Sequence, residues 1–240
     1  MEQLEEPVVA RFRHEALAVI LQVRPRVAGA GEPAYTLSVL AWRRRRDPFA
    51  GDWALPSGPV GQDEAIGASV RRHLATQVEL EEISHLEQLR TLSAPGRDPS
   101  QRTIATAYLG LVAATSEPRL PQHAAWLPVG DLPSMAFDHA HVIDEGVARM
   151  RSKLSYTNLG FALVPAEFTL AQLRDIYEVA LDQEISVTNL QRILRRRAQL
   201  EATGGFGEPG ENGGRPPRLY RFTARELEVT DPFAVLRPSR

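Results

Sequence analysis

The sequence predicts an α+β protein in which a strand-rich domain is followed by a smaller helical domain. Strand-like runs and amphipathic helical segments alternate as far as about residue 155. Beyond that point two helical segments are joined by a tight turn and followed by a glycine-rich stretch and a short strand, the order of a winged helix-turn-helix. Eight arginines and three glutamates lie within 185–225, although the net charge of the chain is −2. We therefore predict one domain over 1–155 and a winged helix-turn-helix domain over 156–240.

The first domain begins with two apolar, β-branched runs, 15–23 and 35–42, which are separated by a stretch of proline, glycine and alanine. A turn-rich segment, 47–61, precedes a helix predicted over 63–78, where apolar residues repeat near the helical period. The later elements of this domain are strands at 86–93 and 103–113 around a polar loop at 95–102, an apolar segment at 126–132 and a helix over 139–154.

The second domain begins with a helix predicted over 168–182, where Thr169 and Gln172 have the spacing of a capping box. The later predicted elements are a break at 183–186, a helix over 188–200, a glycine-rich stretch at 204–214 and a strand at 218–222. The connection between the domains, 151–165, is too apolar for a free linker, so we expect it to pack against one of them.

Composition restricts the classes of site and the location of the protein. The chain has no cysteine, which excludes disulfides and thiolate metal sites. Its acidic first residues do not resemble a signal peptide, and its longest apolar stretch, 16–21, is far shorter than the roughly 20 residues of a membrane helix. We therefore expect a cytoplasmic protein that does not enter the membrane. The basic cluster alone decides little, because such clusters are usually solvated faces.

Residues 53–80 resemble the Nudix hydrolase box, G-x5-E-x7-R-E-U-x-E-E-x-G-U, where U is apolar. Gly58 is followed by Glu64 and then by Arg72 at the spacing of the box, and the letters WALPSG that end at Gly58 resemble its lead-in. An ordinary amphipathic helix after a turn would leave this spacing unexplained. The resemblance implies a Nudix domain, an α/β/α sandwich, for the first part of the chain.

The glutamates of the box are replaced in this chain. They lie on one face of a helix, where their carboxylates provide the oxygen ligands that Mg²⁺ prefers. Here the three positions hold His73, Thr76 and Gln77, and the glycine of the box is Glu79. We therefore predict neither a metal site nor a catalytic residue, and a purely structural ion pair between Glu64 and Arg72.

Beyond the box, the chain resembles the Nudix-related transcriptional regulators of the NrtR family. The resemblance is carried by five segments, 96–99 (GRDP), 105–111, 126–129 (WLPV), 136–139 (AFDH) and the wing-like 214–222. It implies a repressor of genes for NAD metabolism or pentose use, with DNA binding modulated by ADP-ribose or a related nucleotide sugar. It also implies a homodimer, formed mostly by the Nudix-like halves.

The helix predicted over 188–200 has the two faces that a recognition helix needs. Leu190, Ile193, Leu194 and Arg197 share one face, which we expect to pack on the preceding helix. The opposite face holds the candidate base-reading residues Asn189, Arg192, Arg196 and Gln199, with Arg195 beside them. In the wing, phosphate or minor-groove contacts are expected from Arg215, Arg218 and Arg221. An exposed basic helix without a partner is the alternative.

A diphosphate bound without a metal needs cationic side chains, and arginine suits phosphate oxygens. The cationic candidates are Arg97 in the polar loop and Arg44 in the basic run 43–46, and Asp98, next to Arg97, is a further candidate effector residue. Phe137 and His139 are candidates to stack on or hydrogen-bond the nucleotide. For 43–46 the alternative is a solvated strand end. For an aromatic side chain at the start of a helix, the alternative is a place in the core.

The expected partners are double-stranded DNA with a pseudo-palindromic operator, a nucleotide-sugar effector such as ADP-ribose, and a second copy of the chain. No cofactor is expected. The main alternative is an active ADP-ribose hydrolase with a regulatory C-terminal domain, which magnesium-dependent turnover would reveal. A protein-interaction module is a third interpretation, but it does not account for the arginines of the second helix.

Overall fold

The computed structural model describes residues 12–26, 35–208 and 215–231. The proline, glycine and alanine stretch between the first two strands lies largely outside these ranges, as does most of the glycine-rich tip near the end of the chain. Among the helices of the described ranges, none combines the length and the apolar composition needed to cross a membrane.

The first domain contains strands and helices in the order β1 (Arg13–Pro25), β2 (Tyr35–Arg43), β3 (Trp53–Ala54), β4 (Ser57–Pro59), α1 (Ile66–Val78), β5 (His85–Leu92), β6 (Thr103–Val112), β7 (Ala124–Pro128) and α2 (His139–Tyr156). The second part follows as a short 3-10 turn (Leu159–Ala162), α3 (Leu170–Leu181), α4 (Val187–Arg196), β8 (Leu200–Phe206) and β9 (Arg218–Phe222). The predicted elements occur in the predicted order. Two short strands, β3 and β4, lie within the segment that was predicted only as turn-rich, and β8 takes up residues predicted to end the second helix and begin the glycine-rich stretch.

Strand β1 is the centre of the sheet. It runs parallel to β6, from Arg13 opposite Thr103 to Gln22 opposite Val112, and antiparallel to β2 and β4. Its residues are buried from Ala16 to Val23 on both faces of the sheet. Because side chains alternate along a strand, Ala16, Ala18 and Ile20 belong to the core beneath α1. Leu17, Val19 and Leu21 belong to the core beneath α2, so the sandwich with a helix on each face is confirmed.

Helix α1 begins three residues later than its sequence pattern predicts, and it ends in a left-handed residue. The carboxylate of Glu64 accepts a hydrogen bond from the Gly61 backbone (2.7 Å), which holds this segment in a turn before the helix. At the other end Glu79 has φ 54°, and its N–H donates to the carbonyl of Leu74. This left-handed position is where the Nudix box has its glycine, because glycine adopts such backbone angles without a steric penalty.

The recognition-helix candidate ends earlier than predicted, and this corrects one candidate residue. Helix α4 ends at Arg196 instead of continuing to 200, and Ala198 has φ 52°. The residues from Leu200 onward form β8, which pairs with β9 to complete the hairpin. Gln199 therefore does not lie on the helix: it is buried, and its Nε2 donates to the carbonyl of Thr157 (3.3 Å). The helical pattern continued through this turn, but strand pairing with distant residues overrode it.

The connection between the two parts packs into the core, as its apolar sequence predicts. Helix α2 continues to Tyr156, and the residues from Leu159 to Val164 are buried. The side chain of Asn158 donates to the carbonyl of Glu226 (2.8 Å) and accepts from the N–H of Glu228 (2.7 Å). The capping box of α3 is also confirmed.

We expect Glu79→Gly to raise the free energy of unfolding by about 1 kcal/mol, because glycine relieves the left-handed strain at the end of α1. Urea denaturation measures this change. Arg71→Gly is the matched control: Arg71 is exposed inside the same helix, where glycine should instead cost about 1 kcal/mol. Destabilisation by both changes would contradict the assignment.

Candidate functional site

Two of the three substituted box positions attach α1 to the strand that it covers. The Gln77 amide forms a pair of hydrogen bonds with the main chain of Ser57, accepting from its N–H (3.0 Å) and donating to its carbonyl (2.7 Å). The Nε2 atom of His73 lies 3.1 Å from the carbonyl of Pro59, which can only accept, so this nitrogen carries the hydrogen. The His73 ring fills the space above Gly58: a Cβ at Gly58 would lie 2.3 Å from the ring.

The three side chains do not fit Mg²⁺, the metal that the fold family implies. The His73 ring is buried, which lowers its pKa and keeps it neutral, and its Nε2–H is used by Pro59. Both polar atoms of the Gln77 amide are also used, and the Thr76 hydroxyl donates to the carbonyl of Arg72 (2.8 Å). The described ranges contain no cluster of three His, Cys, Asp or Glu side chains that could hold a metal ion. The positions thus serve internal hydrogen bonding.

The predicted ion pair between Glu64 and Arg72 is confirmed. The Nε of Arg72 lies 3.1 Å from one carboxylate oxygen of Glu64, and its Nη2 binds the other oxygen and the carbonyl of Pro59. The hydrogen bonds from Arg72 are the largest cause that lowers the pKa of Glu64, to about 2. The pair holds the 59–64 loop against α1.

The candidate effector residues meet at the beginning of α2, where Arg97 is already bound. Its guanidinium forms a fork on the carboxylate of Asp138, with Nη2–Oδ1 at 2.8 Å and Nε–Oδ2 at 3.1 Å, and the side chain is only 3% exposed. Asp98 accepts hydrogen bonds from the Ser100 N–H and the Thr103 hydroxyl. In this arrangement both residues organise the loop and the start of α2, and neither is a free phosphate ligand.

His139 lies in the core. Its Nδ1 accepts a hydrogen bond from the N–H of Leu55 (3.0 Å), which connects the turn before β4 to the first residue of α2. The residue is 2% exposed, and burial lowers its pKa to about 3, so the ring is neutral at ordinary pH. Of the two alternatives for this side chain, a ligand contact or a core position, the structure shows the core position.

Arg44 and Phe137 form the accessible part of the cluster. The Arg44 guanidinium lies 4.7 Å above the Phe137 ring, and its Nε donates to the carbonyl of Pro48 (2.9 Å). The exposed ring of Phe49, which no sequence motif marks, meets Phe137 edge-on at 4.9 Å. Partial burial lowers the pKa of Arg44. Three consecutive arginines, Arg44 to Arg46, line a cleft of about 310 Å³ together with Trp42.

The face of α4 that was predicted to read DNA is exposed, and its back is packed. Leu190 and Leu194 are buried, as predicted. The residues of the opposite face, all exposed, are Asn189, Arg192, Arg195 and Arg196. The Asn189 side chain accepts a hydrogen bond from Arg192 (2.7 Å), which orients both side chains on the exposed face.

The hairpin next to α4 carries the three predicted wing arginines, and they differ in their contacts. Arg215 and Arg218 are exposed, whereas Arg221 forms an ion pair with Glu201 across the two strands, at 2.6 Å. Tyr220 connects the hairpin to α4, because its ring lies 5.7 Å from the Arg195 guanidinium and its hydroxyl faces Gln191. No spacing rule could identify this contact, since it joins residues of two elements that are distant in sequence.

Comparison with known proteins finds two family models. The NUDIX domain model matches residues 26–146, and the model of the NrtR DNA-binding winged helix domain matches residues 160–222. An ADPR-responsive transcriptional repressor of Acinetobacter baylyi is 30% identical over 206 residues, 82% of this chain and 80% of that protein. An ADP-ribose pyrophosphatase of Methanocaldococcus jannaschii is 28% identical over 134 residues, 52% of this chain and 75% of that protein.

Among solved structures, the crystal structure of Shewanella oneidensis NrtR in complex with a 27mer DNA is similar over both parts of the chain. The TM-score is 0.70 at 26% sequence identity, and the match covers 87% of this chain and 93% of that chain.

We expect Gln77→Glu to lower the free energy of unfolding by about 1–3 kcal/mol, because a carboxylate cannot donate to the carbonyl of Ser57. Thr76→Glu, one residue away on the exposed surface, is the control and should change stability by less than about 0.5 kcal/mol. Chemical denaturation of both variants measures the difference. Equal stability of the two variants would show that the Gln77 bonds contribute nothing.

The stability of the protein should fall as the pH drops below about 6.5, because the unfolded chain then binds a proton that buried His139 does not accept until about pH 3. Between pH 7 and pH 5 this contribution amounts to about 2 kcal/mol. In His139→Asn, which keeps an acceptor for the N–H of Leu55, the pH-dependent loss should be smaller by about that amount. Denaturation curves at several pH values test this, and identical slopes for both proteins would refute it.

Proposed function

Because the chain belongs to the NrtR family of transcriptional repressors, we propose that it represses genes of NAD metabolism and that ADP-ribose or a related nucleotide modulates its binding to a pseudo-palindromic operator. Both family models support this proposal, and so does the A. baylyi repressor, which responds to ADP-ribose by its name. The similarity to the DNA complex of Shewanella oneidensis NrtR supports DNA as the partner.

The exposed front of α4 is the observation that carries the DNA-binding half of the proposal. Arginine reads guanine and asparagine reads adenine through paired hydrogen bonds in the major groove. Arg192, Arg196 and Asn189 offer these groups on one face, while Leu190 and Leu194 fix the opposite face in the core. Every surface helix has a packed back, so the support for DNA binding comes from the arginines and asparagine of the exposed front together with the exposed Arg215 and Arg218 of the neighbouring hairpin.

The wing arginines have a different role in this proposal. Arg218 is exposed at the start of β9, the strand that also carries Tyr220, and an arginine there suits phosphate oxygens. Arg221 has its charge offset by Glu201, so it contributes less to the attraction of DNA than the sequence suggests. We therefore assign base reading to α4 and backbone contact mainly to Arg215 and Arg218.

We infer that the Nudix domain binds its nucleotide without cleaving it. His73 and Gln77 use their polar atoms to hold β4, and hydrolysis by a Nudix box depends on carboxylates at these positions. The resemblance to an ADP-ribose pyrophosphatase makes hydrolysis the competing function for this domain. Because the polar side chains of α1 at these positions are occupied by β4, we favour nucleotide binding over hydrolysis.

The Arg44 cleft is the effector contact that the geometry supports best. Arg97 and His139 are buried and committed to Asp138 and Leu55, whereas Arg44 lies half-exposed at the edge of a cleft lined by arginines. Guanidinium groups there can bind diphosphate oxygens and offset their charge in place of a metal. Phe137 fixes the Arg44 side chain from below, and Phe49 offers an exposed ring for stacking.

A homodimer fits this function, because a winged helix repressor reads two half-sites with two recognition helices. We propose that the effector changes the spacing of these helices and so releases DNA. We expect a particle of about twice 26.6 kDa in sedimentation measurements, and a monomer at micromolar concentration would contradict this arrangement.

Arg196→Ala should weaken operator binding by about 1–3 kcal/mol, because it removes a base contact. Arg218→Ala should weaken binding to every sequence and lower the slope of log Kd against log salt by about 1, as expected for a phosphate contact. Fluorescence anisotropy with operator and random DNA separates the two effects. Arg174→Ala is the control, because Arg174 is a partly exposed arginine of α3 that pairs with Asp175 on its own helix. Operator binding by Arg196→Ala equal to that of the wild type would refute the recognition helix.

ADP-ribose should bind the wild type and change its affinity for operator DNA. Arg44→Ala should bind ADP-ribose at least about tenfold more weakly, because a charge-assisted bond to phosphate contributes about 1.5–3 kcal/mol. Calorimetry measures nucleotide binding and anisotropy measures its effect on the DNA complex. Arg174→Ala is again the control. Unchanged affinity in Arg44→Ala would place the phosphates elsewhere, and no binding by the wild type would mean that the effector is another molecule.

A further inference from the structure

The candidate effector residues around the start of α2, here called the effector cluster, are Arg44, Arg97, Phe137 and His139. Helix α2 connects this cluster directly to the recognition helix. It begins at His139, beside the Arg97–Asp138 pair, and ends at Tyr156, next to the residues that contact the end of α4. Its 18 residues span about 27 Å at 1.5 Å each. The two candidate sites therefore lie at opposite ends of one helix.

Arg197, at the C-terminal end of α4, makes the connection at the far end of α2. Its Nη1 donates to the carbonyl of Ser155 (2.9 Å), in the last turn of α2. Its Nη2 pairs with the carboxylate of Asp231 (2.8 Å), whose own N–H donates to the carbonyl of Tyr156 (3.0 Å). Both side chains of the ion pair are largely buried, at 12% and 11% exposure. Arg197 thus binds the last turn of α2 both directly and through Asp231.

The body of α2 is packed in a way that favours movement as a unit. Val142, Ile143 and Met150 are fully buried against the sheet. Gly146 lies so close to β1 that a Cβ there would come within 2.8 Å of Val19. Protein interiors are close-packed and deform little, so a displacement at one end of such a helix reaches the other end.

We propose that Arg197 is a positioning residue that couples α2 to the recognition helix, so that a change at the start of α2 alters the placement of α4. The inference rests on the proposed effector-modulated repression and deepens it. Arg197 does not touch the effector cluster, and it need not touch DNA. It acts by fixing the angle between α4 and the helix that leads from the effector cluster.

A second arginine, Arg151 of α2, makes a weaker contact between the domains. Arg151 donates to the carbonyl of Ala180 (3.1 Å) and lies 3.5 Å from the carboxylate of Asp182, which is 79% exposed. This contact holds the end of α3, not α4, and exposed ion pairs contribute little. The Arg197 pair is buried, and loss of one partner from a buried pair is costly. Arg197 is therefore the stronger link.

A double-mutant cycle on operator affinity tests the coupling without an effector. Asp138→Asn perturbs the start of α2 by removing the charge that faces Arg97, and Arg197→Gln removes the link at its end. We expect Asp138→Asn to change the operator Kd at least about threefold in the wild-type background and less than about 1.5-fold in the Arg197→Gln background. Sites this far apart are otherwise independent.

The control repeats the cycle with Arg174→Gln, in which the lost arginine belongs to α3 and pairs within its own helix. In that background the effect of Asp138→Asn should remain. An equal effect of Asp138→Asn with and without Arg197 overturns the proposal, as does no effect in the wild type. If Arg197→Gln does not fold, Asp231→Asn replaces it with the same criterion, since it weakens the same pair.

The effector response supplies a second readout that separates this inference from the proposed function. In Arg197→Gln, ADP-ribose should bind with wild-type affinity while the ratio of operator Kd values with and without it falls towards 1. A wild-type ratio in this variant overturns the coupling role. A wild type that does not respond to ADP-ribose refutes the proposed effector, whereas the cycle with Asp138→Asn still decides the role of Arg197.

Discussion

The attachment of helix α1 to strand β4 is the constraint on which the sensor domain depends. Gln77 pairs with the main chain of Ser57, and His73 donates to Pro59 while its ring covers Gly58. Buried backbone groups must be hydrogen-bonded, and here side chains of the helix satisfy those of a three-residue strand. The same positions carry the metal carboxylates in a Nudix hydrolase. In this chain the side chains at those positions form internal hydrogen bonds instead, and these bonds keep the fold of the box.

Helix α2 links the Nudix domain to the winged helix domain. Polar contacts occur at both of its ends: Arg97–Asp138 and His139–Leu55 at the start, and Arg197 with Ser155 and Asp231 at the end. Between them the helix is closely packed by apolar residues, so it deforms little and moves as a unit. The winged helix is thus attached to the sensor domain by specific polar contacts as well as by a shared hydrophobic core. We propose that this architecture transmits a nucleotide contact in one domain to a DNA contact in the other.

Sequence patterns predicted the elements well, because periodic burial and capping are local properties. The capping box at Thr169 and the Glu64–Arg72 pair are examples. The patterns failed where distant residues decide the outcome. The helical pattern of α4 runs past Arg196, but β8 pairs with β9 and Gln199 turns into the core. In the candidate site, Arg97 was recognised as important, but its partner Asp138 was missed, because their pairing depends on how the loop meets α2.

We propose that this Nudix domain binds a nucleotide while its box serves only to hold the fold. The most direct measurement is phosphorus NMR of ADP-ribose incubated with the full-length protein and Mg²⁺, together with the effect of the same sample on an operator complex. We expect the diphosphate signals to persist without turnover while the DNA complex responds. Steady appearance of AMP and ribose 5-phosphate at a rate proportional to protein concentration would contradict it.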